Sequence, residues 1–207
     1  MKIVEQSAIL LYCTPRPEEK IERAGRTCYK SEDRITPASS GKFVRHLVES
    51  GHHAMLEHAT ASFLIVTDRG ISHEIVRHRI ASYAQESTRY CNYSKEKFGK
   101  EISVIRPPGI GPEGCYTAVK WYNAMLVVEQ AYFSLLDMQI RPEIARSVLP
   151  TCLKTELVMT ANLREWRHFI TLRGSHDAHP QIREIAGMVY RQLHALAPNV
   201  FGDLERP

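Results

Sequence analysis

Apolar and polar positions alternate along the chain in two rhythms, and the switches between them mark out its elements. Ile3 to Tyr12 reads as a strand. Pro17 to Tyr29 reads as a helix, opened by proline in its first turn and carrying Glu18 and Glu19 at the positive end of the dipole. Ser39 to Ser50 is a second helix, striped by Phe43, Val44, Leu47 and Val48 and capped by Gly51. Thr60 to Asp68 is strand-like, and Arg69 to Arg79 is expected to be helical, with Ile71, Ile75 and Val76 inward. Ile102 to Ile105 is a short strand. Cys115 to Gln139 is the longest helix, so broadly apolar that it is expected either to be buried or to face another subunit. A short helical turn from Arg141 to Arg146, a strand from Leu153 to Thr160, and helices over Asn162 to Arg173 and Gln181 to Leu196 complete the order.

One stretch does not fit either rhythm. Arg77 to Tyr90 reads Arg-His-Arg-Ile-Ala-Ser-Tyr-Ala-Gln-Glu-Ser-Thr-Arg-Tyr, with too little apolar periodicity to be a core element. Guanidinium groups carry a permanent charge and bind phosphate bidentately, while hydroxyls and amides fix orientation. The stretch is therefore built to bind, and a phosphorylated small molecule is the first expectation. If Arg77 and Arg79 sat at a helix end they would point about 200° apart, toward different partners. Ser87 has no identifiable base beside it, so a binding role is favoured over a nucleophile.

Composition narrows the classes. A chain of 207 residues makes one large domain or two small ones, and 43% apolar content can build a core. A net charge of +4 suits an anionic ligand but falls short of a dedicated nucleic-acid binder. No apolar run approaches membrane length and no signal-peptide pattern opens the chain, so no membrane partner and a cytoplasmic location are expected. The five cysteines are scattered without a Cys-x-x-Cys pair and are expected to be reduced.

Two apparent motifs carry less. His52, His53, Glu57 and His58 invite a metal, but His53 and His58 are five apart and form no His-Glu-x-x-His, so no metal is expected. Gly109-Ile110-Gly111-Pro112-Glu113-Gly114 matches G-x-G-x-x-G, yet two prolines precede it and no acidic strand end follows at Rossmann spacing. It reads as a loop that starts a helix. On the Asn162–Arg173 helix, Asn162, Trp166, Phe169 and Arg173 share a face, which delivers Arg173 to the edge of the core, where it needs an anionic or carbonyl partner.

Arg77-His78-Arg79-x-x-Ser82-x-x-x-x-Ser87-x-Arg89 resembles the signature R-H-R-x-x-S-x-x-x-x-S-x-R of the flavin-dependent thymidylate synthases. Gly51-His52 with Glu57-His58, Ala145-Arg146-x-x-Leu149-Pro150, Asn162-x-Arg164 and Leu172-Arg173 followed by Ser175-His176 look like further landmarks in order. The resemblance implies an α+β fold, an antiparallel sheet flanked by helices, forming one domain over residues 1–207 and assembling as a homotetramer with shared active sites. It implies methylation of dUMP to dTMP, with methylenetetrahydrofolate as carbon donor, FAD as redox cofactor and NADPH as reductant. By position, Arg77, His78, Arg79, Gln85, Asn162, Arg164, His168, His52 and Glu57 would hold FAD. Glu74, Arg77, Gln85, Ser87, Arg89, Arg146 and Arg173 would line dUMP. Arg173 would be the catalytic group, favouring ionisation at N3 of the pyrimidine.

Three positions depart from the family pattern. Ala84-Gln85 stands where an Asn-Glu pair is frequent, Ala54 where a hydroxyl residue is common, and Glu74 where glutamine is common. Two other classes compete with the enzyme reading: a nucleic-acid module using the arginines with Tyr83, Tyr90 and Tyr93, and a nucleotide-binding protein that has lost catalysis through Ala54 and Ala84.

Overall fold

A computed structural model describes all residues, Met1–Pro207. The strands are β1 (Lys2–Val4), β2 (Ser7–Cys13), β3 (Thr60–Asp68), β4 (Ala81–Gln85), β5 (Ser103–Ile105) and β6 (Lys154–Asn162). The helices are α1 (Pro17–Thr27), α2 (Ser39–Glu49), α3 (Arg69–Ile75), α4 (Tyr116–Asp137), α5 (Pro142–Ala145), α6 (Leu163–Gly174), α7 (Pro180–Leu196) and α8 (Pro198–Phe201). Four strands form an antiparallel sheet in the order β2-β3-β6-β4, which gives the expected α+β class. The antiparallel register of β3 and β6 is fixed at both ends: Leu163 N donates to Ala59 O at 2.9 Å, and Arg69 N to Leu153 O at 3.0 Å.

The chain forms two compact units, and β3, β4 and β6 each contribute residues to both. One comprises Met1–Gln6, Val66–Ile75 and Ala84–Leu157. Its core gathers Tyr93, Ile102, Val104, Tyr132, Ala145 and Leu153. Here β1 and β5 make a separate parallel pair, Ile3 opposite Val104. The other unit comprises Ser7–Ile65, Val76–Tyr83 and Val158–Pro207. Strict alternation along β3 buries Ala61, Phe63 and Ile65, and the stripe of α7 buries Ile182, Ile185, Val189 and Leu193. Trp166 of α6 packs edge-on against Phe63 at 5.0 Å and Phe169 at 5.5 Å, and its Nε1 donates to Ala61 O. Burying three such rings is worth several kcal/mol, at about 25 cal/mol per Å2 of apolar surface removed from water.

Three expectations need correction. Ile3 to Tyr12 is two strands, because Gln6 is buried and accepts a hydrogen bond from Thr67, which interrupts the run. α3 ends at Ile75, so Arg77 and Arg79 lie beyond the helix: His78 turns into the interior and tertiary bonds override helical propensity. Ala81–Gln85, within the stretch read as a loop, is an edge strand whose half-buried positions are Ala81, Tyr83 and Gln85. α4 buries Ala118 and Tyr132 and packs Trp121, Met125, Phe133, Leu135 and Leu136 partly buried against the core of its unit, while Val127 stands 64% exposed, as a helix that faces another subunit would leave it. The Gly109–Gly114 loop does start α4, with Gly109, Gly111 and Gly114 all at positive φ and Cys115 Sγ capping the helix at Ala118 N.

Candidate functional site

The β6–α6 junction organises the first cluster. Asn162 leaves the strand extended and its Oδ1 accepts the backbone N–H of Glu165 at 2.8 Å, satisfying one of the orphan donors of the first helical turn. That cap sets the phase of α6. Arg164, Glu165 and His168 then line a cavity of about 530 Å3 together with Asn162, Glu57, Arg77, His78, Arg79 and Ile80. Arg164 Nη1 donates to Glu57 Oε1 at 2.7 Å.

His78 is the buried centre of the cluster. Arg173 Nε, which can only donate, lies 3.1 Å from its Nε2, so that nitrogen is an acceptor. The ring proton is therefore on Nδ1, which donates to Glu165 Oε1 at 3.0 Å. Burial, with the Arg173 charge acting in the same direction, lowers the pKa of His78 and keeps the ring neutral; the Glu165 bond opposes this without reversing it. The bond to Glu165 is thus one between a neutral imidazole and a carboxylate. Phe169 and His168 pack on the ring at 5.1 and 5.2 Å, and Tyr83 OH donates to the His78 carbonyl at 2.7 Å. Burial first, then the Glu165 charge, pushes Tyr83 up to about 12, so its phenol keeps its proton.

Arg173 thus reaches the core edge as its helical phase requires, and its Nε is bonded there to an imidazole nitrogen. His78, Glu165 and His168 have ligand atoms within 4.8 Å of one another. Both nitrogens of His78 already serve Arg173 and Glu165, so a cation there would have to break one of those bonds. His52 lines a neighbouring cavity of about 430 Å3 with His53, Ala54 and Met55, and Arg164 lines both. His53 Nε2 lies 3.3 Å from Val48 O, so His53 is a turn residue.

The second cluster lies in the other unit. Arg146 Nε donates to Glu143 O at 3.2 Å and its Nη1 to Thr88 Oγ1 at 2.9 Å. These residues line a cavity of about 510 Å3 with Arg69, His73, Ser147 and Thr151. Gln85 Nε2 donates to Ser72 Oγ at 2.9 Å and Thr155 Oγ1 at 3.2 Å, so its amide is held inside this unit. Glu86 accepts from Tyr93 OH at 3.0 Å and pairs with Lys154, which also meets Glu156. Burial, reinforced by Glu86, raises the Tyr93 pKa. Ser87 Oγ accepts from Arg89 N at 3.4 Å, which makes it a turn-former, and Arg89 stands exposed beside the Tyr90 ring. Glu74 is half-buried on α3.

Glu165 and Thr88 were not anticipated as site residues, and Tyr83 only as a contact of the nucleic-acid reading. Glu165 occupies the third helical position after Asn162, where a glutamate reads as ordinary capping chemistry.

Residues 9–199 match the family described as thymidylate synthase complementing protein. Flavin-dependent thymidylate synthases from Mycobacterium tuberculosis (strain ATCC 25618 / H37Rv) and Mycolicibacterium gilvum (strain PYR-GCK) are 38% identical over 202 and 203 residues, covering 89% of this chain and 78% of each relative. The solved structure of the UMP/dUMP methylase PolB from Streptomyces cacaoi bound with 5-Br dUMP superposes with a TM-score of 0.81 at 24% identity, covering 98% of this chain and 96% of that one. At that identity the likeness speaks for the fold.

Proposed function

We propose, from the premise that the chain belongs to the flavin-dependent thymidylate synthase family, that it methylates dUMP reductively to dTMP. FAD is the redox cofactor, methylenetetrahydrofolate the carbon donor and NADPH the reductant. The observation that carries the reading is the convergence of Arg77, His78 and Arg79 with Asn162, Arg164 and His168 around one cavity, from two stretches far apart in sequence.

That cavity fits a flavin nucleotide. Its volume of about 530 Å3 is in the range of cofactor pockets. Its donors are three guanidiniums and an amide, the set a diphosphate requires. Arg77, Arg79, Arg164, Asn162 and His168 would hold the group, with Glu57 orienting Arg164 and His52 in the neighbouring cavity. Bound flavin supplies the redox chemistry.

The remaining roles fall to the chain itself. Arg146, with Ser87 and Arg89, supplies the charge and hydroxyls for the dUMP phosphate, and Gln85 and Glu74 the neutral and acidic contacts to sugar or base. Arg173 stabilises negative charge on the pyrimidine when N3 loses its proton, which raises electron density at C5, the carbon to be alkylated. A homotetramer with shared active sites, one domain over residues 1–207, and a cytoplasmic location belong to the same proposal. The exposed apolar positions Val119 and Val127 of α4 support the assembly, and no helix is long and apolar enough to cross a membrane.

The test is tritium release from 5-tritiated dUMP in the presence of FAD, NADPH and methylenetetrahydrofolate, with the visible spectrum of the purified protein beside it. Flavin bands and tritium release are expected. Absence of flavin binding, or indifference to dUMP combined with salt-dependent oligonucleotide binding, would overturn the reading.

A further inference from the structure

His78 is a residue of the signature, yet its side chain is only 1% exposed and both ring nitrogens have protein partners. A ring so placed has both nitrogens held by protein groups while it lines the cavity. The chain of bonds runs in one sense: Glu165 Oε1 accepts from His78 Nδ1, and His78 Nε2 accepts from Arg173 Nε. Each link determines the next. An imidazole protonated at Nε2 would set N–H against N–H at Arg173, and the acceptor opposite Nδ1 favours the other tautomer from the far side of the ring.

We propose that Glu165 is a positioning residue for the reaction: by accepting the Nδ1 proton of His78 it fixes the tautomer whose Nε2 anchors Arg173 at Nε. The inference deepens the functional reading above and rests on it for the role of Arg173. Anchoring Nε fixes the plane of the rigid guanidinium fork, and so the direction of the Nη groups. Backbone and packing support the same aim. Glu165 is phased by the Asn162 cap, the His78 carbonyl is held by Tyr83, and the His78 ring is confined by Phe169 and His168. The side chains of Glu165 and His78 are 8% and 1% exposed, so water does not compete for the bond between them.

Two substitutions separate tautomer control from charge. Glu165→Gln keeps an oxygen acceptor within reach and removes the charge. Glu165→Asp keeps the charge and withdraws the acceptor by one methylene. With the holoenzyme we expect Glu165→Gln to stay near wild type in kcat/KM for dUMP. Glu165→Asp is expected to lose on the order of 100-fold, as for a catalytic group displaced by about 1 Å, with flavin content unchanged in both. Nitrogen-15 spectra of the His78 ring should show the proton on Nδ1 in wild type and Glu165→Gln, and loss of that preference in Glu165→Asp. Ile170→Val, in the buried face of the same helix, controls for simple loss of stability.

The reverse order of the two variants, equal activity in both, or a loss matched by Ile170→Val at equal Tm would overturn the proposal. If wild type binds no flavin and makes no dTMP, the functional reading fails instead, and the ring spectra still decide whether Glu165 sets the tautomer.

Discussion

Arg164 and Glu57, 107 positions apart in sequence, meet at 2.7 Å through Nη1 and Oε1, and both line the same cavity. Their side chains are 53% and 45% exposed, so the pair itself contributes about 0–1 kcal/mol to folding. Arg164→Ala should therefore leave Tm nearly unchanged while weakening FAD binding. Loss of one charge-assisted hydrogen bond, about 1.5–3 kcal/mol, corresponds to roughly 10- to 100-fold in Kd. Fluorescence titration of the flavin-free protein measures it; unchanged affinity would remove Arg164 from the cofactor site.

Arg173→Ala should abolish turnover with FAD still bound, since its anchor is His78 and not the flavin-lining arginines. Arg173→Lys should fare little better, because an ammonium cannot reproduce the fork that Nε anchoring orients. Tritium release and the flavin spectrum, measured on the same preparation, separate the two effects. Retained turnover would end the assigned role.

Arg146 is pre-oriented by the Thr88 hydroxyl at 2.9 Å, and Thr88 is buried. Thr88→Val should keep the shape and lose the bond, raising KM for dUMP by roughly tenfold, the equivalent of about 1.4 kcal/mol. Thr88→Ser should restore it. Equal KM in all three proteins would show that Arg146 is positioned by other means, or does not meet the substrate.

Arg167 is buried beneath α8, donating to both carboxylate oxygens of Asp203 and, through a short bond, to Val200 O. The guanidinium beside it holds the Asp203 carboxyl below its ordinary 3.8. A depressed folded pKa means that the pair's contribution is fully present above that ordinary value and is lost as pH falls through the lowered one. Asp203→Asn should cost about 1–2 kcal/mol at neutral pH, a charged hydrogen bond discounted for the 47% exposure of Asp203. The difference from wild type should vanish in acid. Urea unfolding at neutral and acid pH gives both numbers.

What was legible in the sequence followed from local rules. Pro17 begins α1 as expected, and the stripe of α7 predicts its buried face. The cluster of Arg77, His78 and Arg79 with Asn162 and Arg164 was legible through its signature. β4 was not legible, because Ala81, Ser82 and Tyr83 carry little apolar contrast and the strand exists through pairing with β6. Nor was the break at Gln6, whose interior partner is Thr67. Glu165 escaped notice for a similar reason: its meaning depends on His78, 87 positions away. In each case the deciding contact is long-range, and no window along the chain contains both of its ends.

α6 has a particular inheritance. Asn162 at its cap and Arg164, Glu165, His168 and Arg173 along its twelve residues all belong to the first cluster. A slip of one residue at the strand-to-helix junction would rotate the four helical side chains by about 100° together. The cluster is therefore a single hereditary unit. An insertion or deletion at that junction would erase it whole, whereas sites assembled from independent loops can be lost, or rebuilt, one residue at a time.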